Sequence, residues 1–182
     1  MIYFIINMMN SALLQSIIVQ IIVLIAQLYI ATNENIKHIF VARFIYNALY
    51  MVLYFINGDI TTTLTYVLNT VRSAVYIERQ EIYKHKWHFI VPISFISVQI
   101  ILGLLTMNNY WQLLSIFCGC YFSYYLWFYK TTQKLRIGNM VGDFLWLIYN
   151  VISRLWIVAA GRVIVIFMNA ISYHKHKRVS LD

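Results

Sequence analysis

The chain has 182 residues, of which 62% are hydrophobic and 11% charged, with a formal net charge of +8. A water-soluble domain carries about 25% charged and about 45–50% apolar residues, so an ordinary soluble domain is excluded. The apolar residues form runs near the ~20 that a helix needs to cross hydrocarbon, without the alternation of transmembrane β-strands, which leaves helices as the spanning structure.

In chain order, the first helix is predicted from about Ser11 to Ala31 and is broken by Thr32-Asn33-Glu34-Asn35. It lacks a basic leader and a small-residue cleavage site, so it reads as a retained helix rather than a signal peptide. Its apolar run carries Asn7, Asn10, Gln15, Gln20 and Gln27. The second helix covers His38 to Ile56 and ends at Asn57-Gly58-Asp59, a turn signal. The third covers Ile60 to Ile77 and meets a charged stretch, Glu78 to His88. A fourth runs from Phe89 to Met107, a fifth from Tyr110 to Tyr129, a sixth from Gly138 to Ala160-Gly161, and a seventh from Arg162 to Tyr173. The expected fold is an all-α membrane protein of seven transmembrane helices.

The basic residues read as cytoplasmic anchors rather than a nucleic-acid surface. Lys37 and Arg43 follow the first helix, Arg79, Lys84 and Lys86 the third, Lys130, Lys134 and Arg136 the fifth, and Lys175, Lys177 and Arg178 the seventh. The alternate breaks hold only Asp59, no charge, and Arg162, which runs against the pattern. This alternation predicts a multi-pass chain with its N-terminus outside and its C-terminus cytoplasmic. Trp87, Tyr110, Trp111 and Tyr129 fall near span ends, where amphipathic rings favour the interface.

Ile45-Tyr46-Asn47 in the second helix recurs as Ile148-Tyr149-Asn150 in the sixth, and each is followed by a further asparagine, Asn69 or Asn169. The chain therefore reads as two parallel three-helix repeats joined by a linking helix. The first repeat spans 1–83, the linking helix 84–108, and the second repeat with its short basic tail 109–182.

Leu68-Asn69-Thr70-Val71-Arg72, together with Trp146 to Asn150 and Met168-Asn169-Ala170-Ile171, resembles the YgjV family of bacterial inner-membrane proteins. That resemblance implies the bacterial inner membrane as location. The three-one-three plan also resembles the SWEET, PQ-loop and PnuC transporters. In SWEET proteins an asparagine on helix three and another on helix seven face the substrate pocket, and Asn69 and Asn169 fall on the matching helices. The departures are a single proline, Pro92, placed in the linking helix, where SWEET proteins carry hinge prolines in several core helices, and no Pro-Gln motif.

Asn47, Asn69, Asn150 and Asn169 lie inside predicted spans, where hydrocarbon satisfies none of their donors or acceptors. Two readings stay open: bonds between helices that fix packing, or a shared polar site. On the second, Asn69 and Asn169 contact a small polar solute, while Tyr46, Asn47, Trp146, Tyr149 and Asn150 line or support the site. Arg72, one turn beyond Asn69, either snorkels to the cytoplasmic surface or faces inward to pair with Asp143 or a substrate anion. Asp143 is either an intramembrane carboxylate or sits near the cytoplasmic start of helix six. Arg154, late in helix six, reaches the outer interface or pairs within the bundle. Gly138 and Gly142 form a G-x-x-x-G pair, read either as a close helix approach or as a loop glycine and an incidental one.

Cys118 and Cys120 read as packing residues, and His85, His88, His174 and His176 lie among cytoplasmic lysines, so no metal site, cofactor or disulfide framework is expected. No phosphate loop, H-E-x-x-H or G-x-S-x-G occurs, which argues against an enzyme. The expected function is facilitated transport of a small polar solute by alternating access, with the lipid bilayer as surroundings, no nucleic-acid partner, and a homo-oligomer compatible with the sequence. The competing expectation is a structural or accessory membrane protein that transports nothing.

Overall fold

Among the described residues the chain folds into eight helices and no strand: α1 (Ile2–Thr32), α2 (Ile36–Ile56), α3 (Ile60–Ile77), α4 (Arg79–Ile82), α5 (Ile90–Thr106), α6 (Gln112–Phe128), α7 (Thr132–Ile152) and α8 (Trp156–Val179). This is a computed structural model that describes residues 2–129 and 131–179, with side chains from 17–129 and 131–175. The side chains of Asn7, Asn10, Gln15, Lys130, His176, Lys177 and Arg178 lie outside the described residues.

Local chemistry sets the helix ends. Asn35 caps α2 by accepting from the N–H groups of Lys37 and His38, Asp59 caps α3 through Thr62 N–H, and Thr131 caps α7 through Lys134 N–H. α2 closes in a Schellman turn: Asp59 N–H donates to Tyr54 O, and Gly58 N–H to Phe55 O. The left-handed residue is Gly58, with φ 74°. α7 closes in the same turn, Leu155 N–H to Asn150 O and Arg154 N–H to Val151 O, with Arg154 at φ 59°.

That second turn corrects a boundary. The chain breaks at Ser153–Leu155, not at Ala160-Gly161, because a Schellman turn forms there while Gly161 continues α8. Arg154 therefore sits in the turn and is exposed, whereas Arg162 lies inside α8 and is buried.

The packing is inverted relative to a soluble protein. The buried residues of α3 are Thr61, Thr62, Thr63, Thr65, Tyr66, Asn69, Arg72, Ser73 and Tyr76, each with a polar atom. Large apolar side chains face outward, among them Ile60, Val71, Ile93, Ile101, Leu104 and Leu105. Such an exterior suits hydrocarbon rather than water. α2 and the Trp156–Lys175 stretch of α8 are long and apolar enough to cross a membrane. Helices such as α3 average less apolar because their polar side chains point inward.

α1 packs against α2 and α8, α6 against α7 and α3, and α5 lies outside, against α3 and α6. At the contact of α6 with α7, a Cβ on Gly138 would overlap the Tyr125 ring, and one on Gly142 the Phe122 ring. The glycine pair is thus the floor on which these two aromatic rings rest, the close-approach reading of the two.

One spacing runs through the bundle. Hydrogen bonds join Arg43 to Asn139, Tyr54 to Asn150 and Tyr66 to Arg162, each pair 96 residues apart. The same offset relates the limits of α2 to those of α7, the starts of α3 and α8, and the ends of α1 and α6. The buried residues of α2, from Ile39 to Tyr54, map one for one onto those of α7, from Leu135 to Asn150. This register pairs Asn47 with Asp143 and Tyr54 with Asn150. The shared Ile-Tyr-Asn triplet had suggested Asn47 with Asn150 instead, and it lies in a different register.

Two ends can be named. One carries the turns at Asp59 and Arg154. The other carries the exposed Lys37, Lys84, Lys86 and Lys134. Arg43, Arg79 and Arg136 do not belong with these surface lysines, since each is buried at 3% exposure.

Candidate functional site

Between α1, α2, α6, α7 and α8 lies a cavity of about 10 Å³, lined by Gln27, Arg43, Tyr46, Asn139, Asp143 and Asn169, with Ile30, Phe122 and Val165 as apolar wall. That is room for about one water. Arg43 reaches in from α2 and donates to Tyr46 Oη at 3.2 Å and to Asn139 Oδ1. Its guanidinium carbon lies 5.4 Å from the Phe122 ring centre. Arg43 Nε and Asn169 Oδ1 are buried without a hydrogen-bond partner in the protein.

Beside the cavity, Arg162 Nη1 donates to Asp143 Oδ1 at 2.7 Å, and Nη2 donates to Tyr66 Oη at 2.8 Å. The guanidinium also faces Tyr50 at 4.7 Å and Trp146 at 5.8 Å from the ring centres. A buried ion pair offsets its desolvation only when the remaining donors find partners. Here the Tyr66 hydroxyl takes one of them and two aromatic faces lie against the guanidinium, while Nε is buried without a hydrogen-bond partner. Tyr66 in turn stacks on Tyr54 at 5.2 Å and lies 5.1 Å from Trp146.

The bundle is latched on both sides of this pair. Toward the Asp59 end, Tyr54 Oη donates to Asn150 Oδ1 at 2.5 Å. Tyr149 Oη donates to Asp59 Oδ2. Its proton is thereby committed, so Thr62 Oγ1 is the donor in the 2.7 Å bond to Tyr149 Oη. Gln112 Nε2 adds a bond to Asp59 Oδ1 at 3.0 Å. Toward the lysine end, the Arg43–Asn139 bond joins α2 to α7 at the cavity wall. Below it, Arg136 donates to Ala31 O at 3.3 Å and Ser172 O at 3.4 Å.

The residues expected from the sequence divide among these places. Tyr46 and Asn169 line the cavity, and Asp143 forms its wall. Trp146, Tyr149 and Asn150 belong to the aromatic column and the Asp59-end latch. Asn47 donates to Ser73 Oγ at 3.0 Å and Asn69 O at 3.3 Å, binding α2 to α3. Asn69 is buried there and is not among the cavity-lining residues, so Asn69 and Asn169 do not meet in one pocket. Arg72 faces inward and donates to Gly119 O at 3.0 Å and Ser123 Oγ at 2.9 Å. The partner of Asp143 is Arg162, not Arg72.

Gln27, Arg43, Asn139 and Arg162 are not among the site residues expected from the sequence. Arg43 reads as a loop charge because it follows the polar break at 32–35 and Lys37, and Arg162 because it follows Gly161 directly. Their signal would have been the helical register, since Arg43, Tyr46, Asn47, Tyr50 and Tyr54 recur on one face of α2. At α4, Lys84 Nζ lies 2.5 Å from Glu81 Oε2, and this hydrogen bond and charge hold the Glu81 carboxyl below its usual range. Cys118 is buried and Cys120 half-buried, and both are free thiols. No group of three potential metal ligands gathers among the described residues.

No curated protein and no solved structure matches this chain. Residues 13–180 match the family described as Imp-YgjV, bacterial inner membrane protein. The match covers nearly the whole chain and agrees with an exterior built for hydrocarbon. The chain belongs to the YgjV family of bacterial inner membrane proteins.

Proposed function

We propose that this protein is a transporter that carries a small polar solute across the inner membrane by alternating access. In this reading α1, α2, α3, α5, α6, α7 and α8 are seven spans, and α4 is a surface turn. α1 to α3 and α6 to α8 are parallel repeats, and α5 reverses direction so that both run the same way. The lysine end is cytoplasmic, since the exposed Lys37, Lys84, Lys86 and Lys134 gather there.

The observation that carries the proposal is the set of hydrogen bonds between residues 96 apart. A residue that touches its own repeat mate must lie near the axis relating the halves. Polar groups are therefore concentrated along that axis, with the cavity between a cytoplasmic link, Arg43–Asn139, and an outer latch at Tyr54–Asn150 and Tyr149–Asp59. With both closed, the arrangement is that of an occluded carrier. Rocking one repeat against the other opens one link while the other holds.

The non-transporting alternative has its own support: the cavity is water-sized, and Asn47 ties neighbouring helices rather than facing it. Side-resolved thiol labelling separates the two. In a background of Cys118→Ala and Cys120→Ala, Asn169→Cys is treated with a charged, membrane-impermeant reagent in intact cells and in inverted vesicles. Labelling from both sides is the expected result. A folded protein that is never labelled has a dry interior, and the transporter reading then gives way to the structural one.

A further inference from the structure

We infer that the central cavity is a binding site for a small monocarboxylate anion, with Arg43 as its recognition residue. The movement of that anion rests on the transporter reading; its binding does not.

Charge is the starting point. One guanidinium, Arg43, and one carboxylate, Asp143, line the cavity, and a second guanidinium, Arg162, is bonded to that carboxylate. Asp143 is committed to Arg162 at 2.7 Å. Arg43 is 3% exposed, and its hydrogen-bond partners are neutral: the Tyr46 hydroxyl and the Asn139 amide oxygen. The cluster therefore carries one uncompensated positive charge in a medium where an unpaired ion is costly.

The other buried arginines are accommodated differently. Arg79 donates to the carbonyls of Leu126 and Tyr129 at the end of α6, and Arg136 to that of Ala31 in the last turn of α1. Helix C-termini carry partial negative charge and unpaired carbonyls, which suit a cation. Arg72 is held by the Gly119 carbonyl and Ser123, away from the cavity. Only Arg43, among these, faces the cavity and bonds no backbone carbonyl.

The remaining wall selects the ligand. A guanidinium presents paired N–H groups that match a carboxylate. One negative charge neutralises the cluster, whereas a dianion would leave the opposite excess. The amides of Gln27, Asn139 and Asn169 both donate and accept, so they suit a hydroxyl or second oxygen. Phe122, Ile30 and Val165 offer an apolar face to a short carbon chain. A cavity of about 10 Å³ is too small for such a molecule, so entry requires the Arg43–Asn139 link to open and the carboxylate to take the place of Asn139 Oδ1.

The test uses the full chain in detergent, with sodium lactate as probe and lactamide and sodium chloride as neutral and ionic controls. Lactate is expected to raise the unfolding midpoint by several degrees in a saturable manner, and neither control to do so. Arg43→Gln should abolish the response. Because that variant removes a buried group and can fail to fold, Asn139→Asp is the second test. It supplies an internal carboxylate to Arg43, and should raise the midpoint without ligand and remove the lactate effect. A midpoint indifferent to lactate, equal stabilisation by lactamide, or an Asn139→Asp protein that still responds would overturn the assignment. Uptake of labelled lactate into proteoliposomes at pH 8, against protein-free vesicles, separates the two claims. Saturable stabilisation without uptake keeps the site and removes the transporter, while uptake of lactamide with no lactate response keeps the transporter and removes the anion.

Discussion

Arg154 lies 96 residues after Gly58 and holds the same place: both occupy the left-handed residue of a Schellman turn, at φ 59° and 74°. The turn geometry is shared, but only glycine adopts it without a Cβ clash, and left-handed backbone costs about 1–2 kcal/mol for an ordinary residue. Nothing lies within 4 Å of a Cβ built on Gly58, so the cost there is conformational alone. Arg154→Gly should therefore stabilise the protein by about 1 kcal/mol, and Gly58→Ala should destabilise it by a similar amount. Denaturant unfolding of both variants in detergent checks the pair of signs.

The Arg162–Asp143 pair is a buried ion pair at 2.7 Å. Asp143→Asn leaves a guanidinium without its counter-ion, and Arg162→Gln leaves a carboxylate, so each should cost about 3–5 kcal/mol. The double variant should cost clearly less than the sum of the singles. Additive losses in a double-mutant cycle would show that the two residues act separately.

Two glycines in the second half of the chain should respond in opposite directions. Gly142→Ala drives a methyl group into the Phe122 ring and should cost about 1–3 kcal/mol through overpacking. Gly161→Ala meets nothing within 4 Å in the interior of α8, and should stabilise by up to about 1 kcal/mol through helix propensity. Thermal midpoints of the two variants give the comparison.

The Glu81–Lys84 pair is exposed and should matter for titration rather than for stability. Glu81 is held below the usual carboxylate range by the Lys84 ammonium, so the pair is complete above that range and is lost as pH falls through the lowered value. Lys84→Ala should move the Glu81 midpoint upward, observed by NMR of the side-chain carboxyl, and leave the thermal midpoint unchanged. An unmoved Glu81 would mean that the ion pair is not populated in solution.

Composition alone determined that this is a helical membrane chain. Sixty-two per cent hydrophobic residues in long runs cannot be hidden inside a domain of this size, and a backbone in hydrocarbon must bond to itself. Turn chemistry placed the α2–α3 boundary, because Asn57-Gly58-Asp59 is a local signal. The matching boundary at Ser153–Leu155 carried no glycine and was misplaced, since the second hairpin imposes the left-handed turn on an arginine.

The candidate site was half legible. Tyr46, Asp143 and Asn169 stood out as polar residues within apolar runs. The partnership of Asp143 with Arg162, the isolation of Arg43 and the separation of Asn69 from Asn169 were decided by tertiary structure. A side chain's partner depends on the rotation and register of two packed helices. In this bundle that register is the 96-residue offset, which is carried by buried positions rather than by residue identities.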